Sequence, residues 1–132
     1  SYPYEVAEYI SNSRYGVAAE AYRFPPSDNQ SLRLMRYLLA NDIPVIVLQR
    51  LSFQAKISHY RVIRGYNDKA SEFIADDPLL GANYRIPYKD FINLNGAYSY
   101  PGPALIPVYP PKMASLVESL TREWGAPLAL RY

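Results

Sequence analysis

The sequence predicts an α+β domain in which helices cover an antiparallel β-sheet, and three observations carry that prediction. Ser27, with Gln30 three residues later, matches a capping box at the start of an apolar helical stripe. Residues 45–48 form an unbroken apolar run, which is typical of a strand buried on both faces. Residues 57–65 and 71–76 flank a turn that begins at a glycine and predict an antiparallel pair.

The first third of the chain predicts a short helix, a strand and a long helix. Residues 1–12 form the short helix, because Pro3 suits a first helical turn and the apolar residues recur four apart. Residues 17–24 alternate like a strand, which two prolines end. The helix that begins after Ser27 ends near Pro44. Its predicted apolar stripe is Leu32, Met35, Leu38 and Leu39.

Shorter elements follow the strand pair. The Asp-Pro sequence at 77–78 ends the second strand, because a residue before proline is driven to extended geometry. Residues 84–86 predict a short strand, and a short helix runs from Pro87 to about Leu94. Residues 104–109 predict a last strand, which we place at a sheet edge because it contains a proline.

The prolines at 110 and 111 predict a boundary. We expect residues 1–110 to form the main domain and residues 111–132 to form a C-terminal helix and linker. Apolar residues fall at helical spacing over 113–124. This helix either packs back on the domain or leads into a further one.

Composition excludes several classes of protein. The chain has 132 residues, of which 49% are apolar and 20% charged, so it can build one core. A net charge of +2 is too weak to indicate nucleic acid as a partner, and no stretch is apolar enough for a membrane span. The chain does not begin with methionine, so we expect a mature product, a fragment or a cloned domain. Its 14 tyrosines suit recognition surfaces, and the segment 98–103 predicts a rigid loop.

The chemistry of the chain centres on its one histidine. The absence of cysteine excludes disulfides, thiolate metal sites and thiol nucleophiles within this sequence. Taken alone, His59 is most simply a structural side chain on a strand. Asp77 changes this interpretation, because it ends the next strand of an antiparallel pair and can face His59. A carboxylate beside an imidazole fixes its tautomer and raises its basicity.

A family resemblance appears in the order of these motifs. The chain carries, in sequence, IPVIVLQRL, SHYRVIRGYND, SEFIADDPLLG and YRIPYKDFINL. This order resembles the second half of the bacteriocin-processing (double-glycine leader) peptidase-like branch of the papain-like cysteine peptidases. Upstream, YPYEVAEYI and YGVAAEAYRF are similar to the part that follows the nucleophile helix of that branch. The resemblance covers about residues 1–109.

The resemblance implies a papain-like fold, an antiparallel sheet flanked by helices, here lacking the N-terminal nucleophile helix. It implies that His59 is the general base and Asp77 the carboxylate that orients it, with Asp76 as the alternative if the register slips by one residue. The family's cysteine, and the glutamine before it, would precede Ser1. It also implies a peptide or protein substrate, and we expect no cofactor and no metal.

Three functions stay open from the sequence. The first is the downstream part of a cysteine peptidase, inactive without its nucleophile segment. The second is a non-catalytic peptide-binding or structural module on a peptidase-like fold, and the third is assembly as a homodimer through exposed apolar surface. Ser58 is no substitute nucleophile, because its side chain points away from that of His59. An N-terminal Ser1 acting through its own amine has little support.

Overall fold

The computed structural model describes residues 1–96 and 102–123, which fold into helices on both sides of one antiparallel sheet. The helices are α1 (Pro3–Ser11), α2 (Asp28–Ala40), α3 (Tyr88–Asn93) and α4 (Ala114–Glu123), with a 3-10 turn at Pro111–Met113. The strands are β1 (Ala18–Ala19), β2 (Val45–Arg50), β3 (Ser58–Asn67), β4 (Glu72–Asp77), β5 (Gly81–Pro87) and β6 (Ala104–Tyr109). Most of the predicted loop at 98–103 lies outside the described residues.

The six strands follow the order β1-β6-β2-β3-β4-β5, and each neighbouring pair is antiparallel. Strand β2 lies inside the sheet between β6 and β3, which explains its unbroken apolar run at residues 45–48. Helices pack on both faces of the sheet, so the side chains on either face of β2 contact apolar residues. The predicted α+β class is confirmed.

The larger core lies on the face covered by α2, α3 and α4. It is formed by alternate apolar residues of the strands together with the apolar sides of these helices. Its fully buried members include Val47, Ile63, Phe73, Leu38 and Phe91. On the opposite face α1 packs through Ala7 against Ile106 of β6, in a smaller cluster. Burial of each large side chain contributes about 1.5–3 kcal/mol, so the first face carries most of the stabilisation.

Ser27 caps α2 as predicted, but the Gln30 side chain meets the hydroxyl of Ser27, whose Oγ donates to Gln30 Oε1 over 3.0 Å, so only one half of the predicted capping box is seen. Ser27 is the N-cap of α2, and its Oγ accepts a hydrogen bond of 3.2 Å from the backbone N–H of Gln30. This bond satisfies one of the amide groups that a helix start leaves without an intrahelical partner. The predicted stripe also faces the core, since Met35, Leu38 and Leu39 are buried and Leu32 packs against them.

The placement of β6 at a sheet edge was wrong. β6 lies between β2 and the short β1, and Pro107 is opposite Val45. The N–H of Leu105 points toward the β1 side, where it bonds to the carbonyl of Tyr22, so the donor that Pro107 lacks would point the same way. The β1 side is interrupted there: of the strand predicted at 17–24, only Ala18–Ala19 and a bridge at Tyr22 are formed. A proline therefore fits inside this sheet.

The C-terminal helix packs back on the domain. Val117 and Leu120 of α4 are buried and belong to the same core cluster as α2. The division at residue 110 and a continuation into a further domain stay predictions, and residues 124–132 lie outside the described part. None of the helices described is long and apolar enough to cross a membrane.

Candidate functional site

His59 and Asp77 meet on the face of the sheet that carries the larger core. Cross-strand pairing places Asp76 opposite Val62, so Asp77 lies opposite Arg61 and diagonal to His59, which is two residues away on β3. The Nε2 atom of His59 lies 2.9 Å from Oδ1 of Asp77. The imidazole is 16% exposed and the carboxylate is fully buried, so the imidazole is the member of the pair that solvent reaches.

Asp76, the alternative carboxylate, points to the other face. Its side chain is 46% exposed and forms an ion pair with Arg64, with Nε and Oδ2 3.3 Å apart. Successive strand residues point to opposite faces, so only one of the two aspartates can reach the imidazole. The structure brings Asp77, not Asp76, to His59.

The surroundings of Asp77 keep its carboxylate ionised. Burial by itself raises the pKa of Asp77, but four hydrogen bonds outweigh burial and hold this pKa well below its usual range. The donors are the backbone N–H of Leu80, the guanidinium of Arg61, the ring of His59 and the backbone N–H of Leu79. Asp77 is therefore a fixed negative charge with hydrogen-bond donors at both of its oxygens.

The ionised carboxylate sets the tautomer of His59. A carboxylate only accepts hydrogen bonds, so Nε2 of His59 must carry a hydrogen and donate it to Asp77. In the neutral ring the lone pair is then on Nδ1. The arrangement therefore presents an oriented imidazole whose Nδ1 can accept a proton from a nucleophile.

A buried polar network that the sequence did not predict lies behind the pair. Arg61 is 1% exposed, and its Nε donates to Oδ2 of Asp77 over 2.9 Å. Its Nη1 donates to Oε1 of Gln49 over 3.0 Å, and Nε2 of Gln49 donates to Oδ1 of Asn95 over 2.8 Å. One signal could have revealed this network: Arg61 lies two residues from His59 and two from Ile63, on the core-facing side of β3. A charge at such a position requires a buried partner.

A cavity of about 450 Å³ opens beside Arg61. Apolar side chains that project to solvent form part of its wall, among them Phe53, which is 46% exposed, and Leu79, which is 66% exposed. Arg61 and Leu79 both line this cavity and both donate hydrogen bonds to Asp77, so the cavity adjoins the surroundings of that carboxylate.

The two serines considered as substitute nucleophiles, Ser58 and Ser1, do not face His59. Ser58 and Ser1 border a separate pocket with Tyr60, whose hydroxyl donates to the carbonyl oxygen of Ser1 over 2.8 Å. Ser58 and Tyr60 project from the face opposite that of His59. Across residues 1–96 and 102–123, no group of three or more metal-ligating side chains comes together.

Acidification is expected to remove stability that Asp77 contributes. The folded-state pKa of Asp77 lies below its value in the unfolded chain, about 3.9, so the unfolded state binds more protons in acid. The contribution is complete above that value and is lost as the pH falls through the folded-state pKa. In urea unfolding between about pH 6 and pH 3, Asp77→Asn should lose less stability than the unchanged protein, since it lacks this titration.

The control for this titration is Asp76→Asn, which removes an exposed carboxylate of the same strand. It should keep the acid dependence that Asp77 contributes. Equal acid slopes for Asp77→Asn and the unchanged protein would contradict the assignment.

A family model matches the chain. The model of the Peptidase_C39 like family matches residues 2–103, which include the first five strands and the histidine–aspartate pair. No curated protein and no solved structure matches the chain at a significant level. The matched segment covers most of the 132 residues, so this cysteine-free chain belongs to the Peptidase_C39 like family.

Proposed function

We propose that this domain contributes the general base and its orienting carboxylate to a cysteine-peptidase site whose thiol comes from a part of the protein outside this sequence. The observation that carries the proposal is the 2.9 Å contact between His59 Nε2 and Asp77 Oδ1 in a member of a peptidase-like family. The chain contains no cysteine, so we expect no peptide hydrolysis from it alone.

The proposed chemistry follows from the free nitrogen of the imidazole. Nδ1 of His59 takes the proton of the thiol, and the thiolate attacks the carbonyl carbon of the peptide. The C–N bond then breaks, and the imidazolium returns the proton to the leaving amine. A water that gives its proton to His59 hydrolyses the resulting thioester, which frees the acid and restores the thiol. Asp77 stays ionised throughout and holds the ring.

The test uses the intact protein, including whatever precedes Ser1. We expect it to contain a cysteine that iodoacetamide alkylates rapidly near neutral pH and that is required for peptide cleavage. His59→Ala should slow both reactions, with the loss in kcat about 10²–10⁴-fold, as for removal of a general base.

The matched control is Asp76→Asn, one residue from Asp77 on the exposed face, which should leave both rates unchanged. An intact protein without cysteine would overturn the proposal. So would a thiol whose alkylation and cleavage rates do not depend on His59.

The cavity beside Arg61 favours a second candidate, a module that binds peptides without cutting them. Its wall exposes Phe53 and Leu79, and exposed apolar surface of this kind suits apolar side chains of a peptide. Peptide binding by the chain that is lost in Leu79→Asp, together with an intact protein that has no turnover, would favour this candidate. Self-association stays a prediction that light scattering tests.

A further inference from the structure

Arg61 is a buried arginine whose guanidinium is fixed by hydrogen bonds, unlike an arginine on the protein surface. Its guanidinium is buried and makes four hydrogen bonds, the first to Oδ2 of Asp77. The others go to Oε1 of Gln49 over 3.0 Å, to the carbonyl of Arg50 over 3.3 Å and to the carbonyl of Leu51 over 3.0 Å. The planar fork is thereby fixed between the ends of β2 and β4.

The two oxygens of Asp77 have different partners. Oδ1 accepts from His59 and from the backbone N–H groups of Leu79 and Leu80, at 2.8–3.0 Å. Oδ2 accepts from Arg61. The carboxylate is planar and turns as one unit about its Cβ–Cγ bond, so the bond at Oδ2 acts together with the three bonds at Oδ1 to hold the plane of the group. The plane in turn sets where the acceptor directions of Oδ1 point.

The position of Arg61 depends on groups further from solvent. Gln49 is fully buried, and its Nε2 donates to the carbonyl of Phe91 over 3.0 Å and to Oδ1 of Asn95 over 2.8 Å. These two acceptors leave Oε1 of Gln49 directed at Arg61. The chain of bonds therefore runs from α3 through β2 and β3 to the carboxylate on β4.

We propose that Arg61 is a positioning residue of the candidate site, because its bond to Oδ2 resists rotation of the Asp77 carboxylate and so helps to set the direction in which Oδ1 receives the Nε2–H of His59. Its importance for catalysis rests on the proposed function. The orientation of the His59 imidazole does not rest on the proposed function, because it can be measured in this chain alone. Arg61 also supplies the positive charge that the buried carboxylate of Asp77 needs in the interior.

The test reads the imidazole directly. The chain contains one histidine, so the imidazole nitrogen and proton signals in NMR spectra can be assigned to His59 directly. We expect the Nε2–H tautomer to dominate in the unchanged protein. In Arg61→Met the ratio of the Nε2–H to the Nδ1–H tautomer should fall about tenfold, the effect of weakening one hydrogen bond to a charged group.

A second variant covers the case in which Arg61→Met does not fold. Arg61→Lys keeps the buried positive charge but replaces the planar fork with a single amine, so we expect it to fold and to lower the same ratio by a smaller factor. The matched control is Arg64→Met, on the exposed face of the same strand, which should leave the spectrum of His59 unchanged.

An unchanged tautomer ratio in a folded Arg61 variant would overturn the proposal and leave Arg61 a structural residue. This failure is distinguishable from failure of the proposed function. The proposed function is decided by the thiol of the intact protein, whereas this proposal is decided by the ring of His59 in the chain itself.

Discussion

Replacing Asp77 by alanine is expected to lower the free energy of unfolding by about 3–5 kcal/mol, the typical effect of removing one partner from a buried ion pair. The change leaves Arg61 with an uncompensated charge at a position that is 1% exposed. It also removes the acceptor of the N–H groups of Leu79 and Leu80. Urea unfolding at neutral pH measures the loss.

The chain offers a close control for this result. Asp76 and Arg64 form an ion pair on the same two strands, but their side chains are 46% and 42% exposed. Asp76→Ala should therefore cost less than about 1 kcal/mol. Combining Asp77→Ala with Arg61→Met should recover much of the stability, because both buried charges are then gone. Equal losses for the two alanine variants would show that burial does not govern these pairs.

Replacing Phe73 by alanine is expected to lower the free energy of unfolding by about 3–5 kcal/mol, through lost transfer energy and the cavity left behind. Phe73 is fully buried on β4, and its ring centroid lies 4.7 Å from those of both Tyr88 and Phe91. These contacts hold α3 against the sheet. The midpoint and slope of a urea transition measure the effect.

Phe53 is the matched control, since its side chain is 46% exposed in the wall of the cavity. Phe53→Ala should change the free energy of unfolding by no more than about 0.5 kcal/mol. A loss for Phe73→Ala as small as that for Phe53→Ala would mean that the aromatic cluster is not the centre of the core.

Local signals made several elements predictable from the sequence. Ser27 caps the start of α2 because its hydroxyl accepts a hydrogen bond from a backbone N–H of the first helical turn. This interaction depends on neighbouring residues alone. The apolar run at 45–48 identified a buried strand for a similar reason. The α+β class was expected on such evidence. The family was expected from the order of motifs along the chain, and the meeting of His59 with the end of β4 from the predicted strand pair.

Other features depend on how distant segments meet. The choice between Asp76 and Asp77 is one, because β3 and β4 change register between Ile63 and Gly65, and periodicity in the sequence does not reveal such a shift. The place of Pro107 inside the sheet is another, since it depends on an interruption in the neighbouring strand.

The sequence by itself determined the class of fold, the lack of a thiol and that His59 is the one histidine the site could contain. The tertiary structure alone decided which aspartate binds His59 and that Arg61 lies behind it. The physical reason is that a helix cap or an apolar run is satisfied by neighbours in the chain, whereas a buried charge is satisfied by whatever the fold brings to it. For Arg61 those partners come from the ends of β2 and β4.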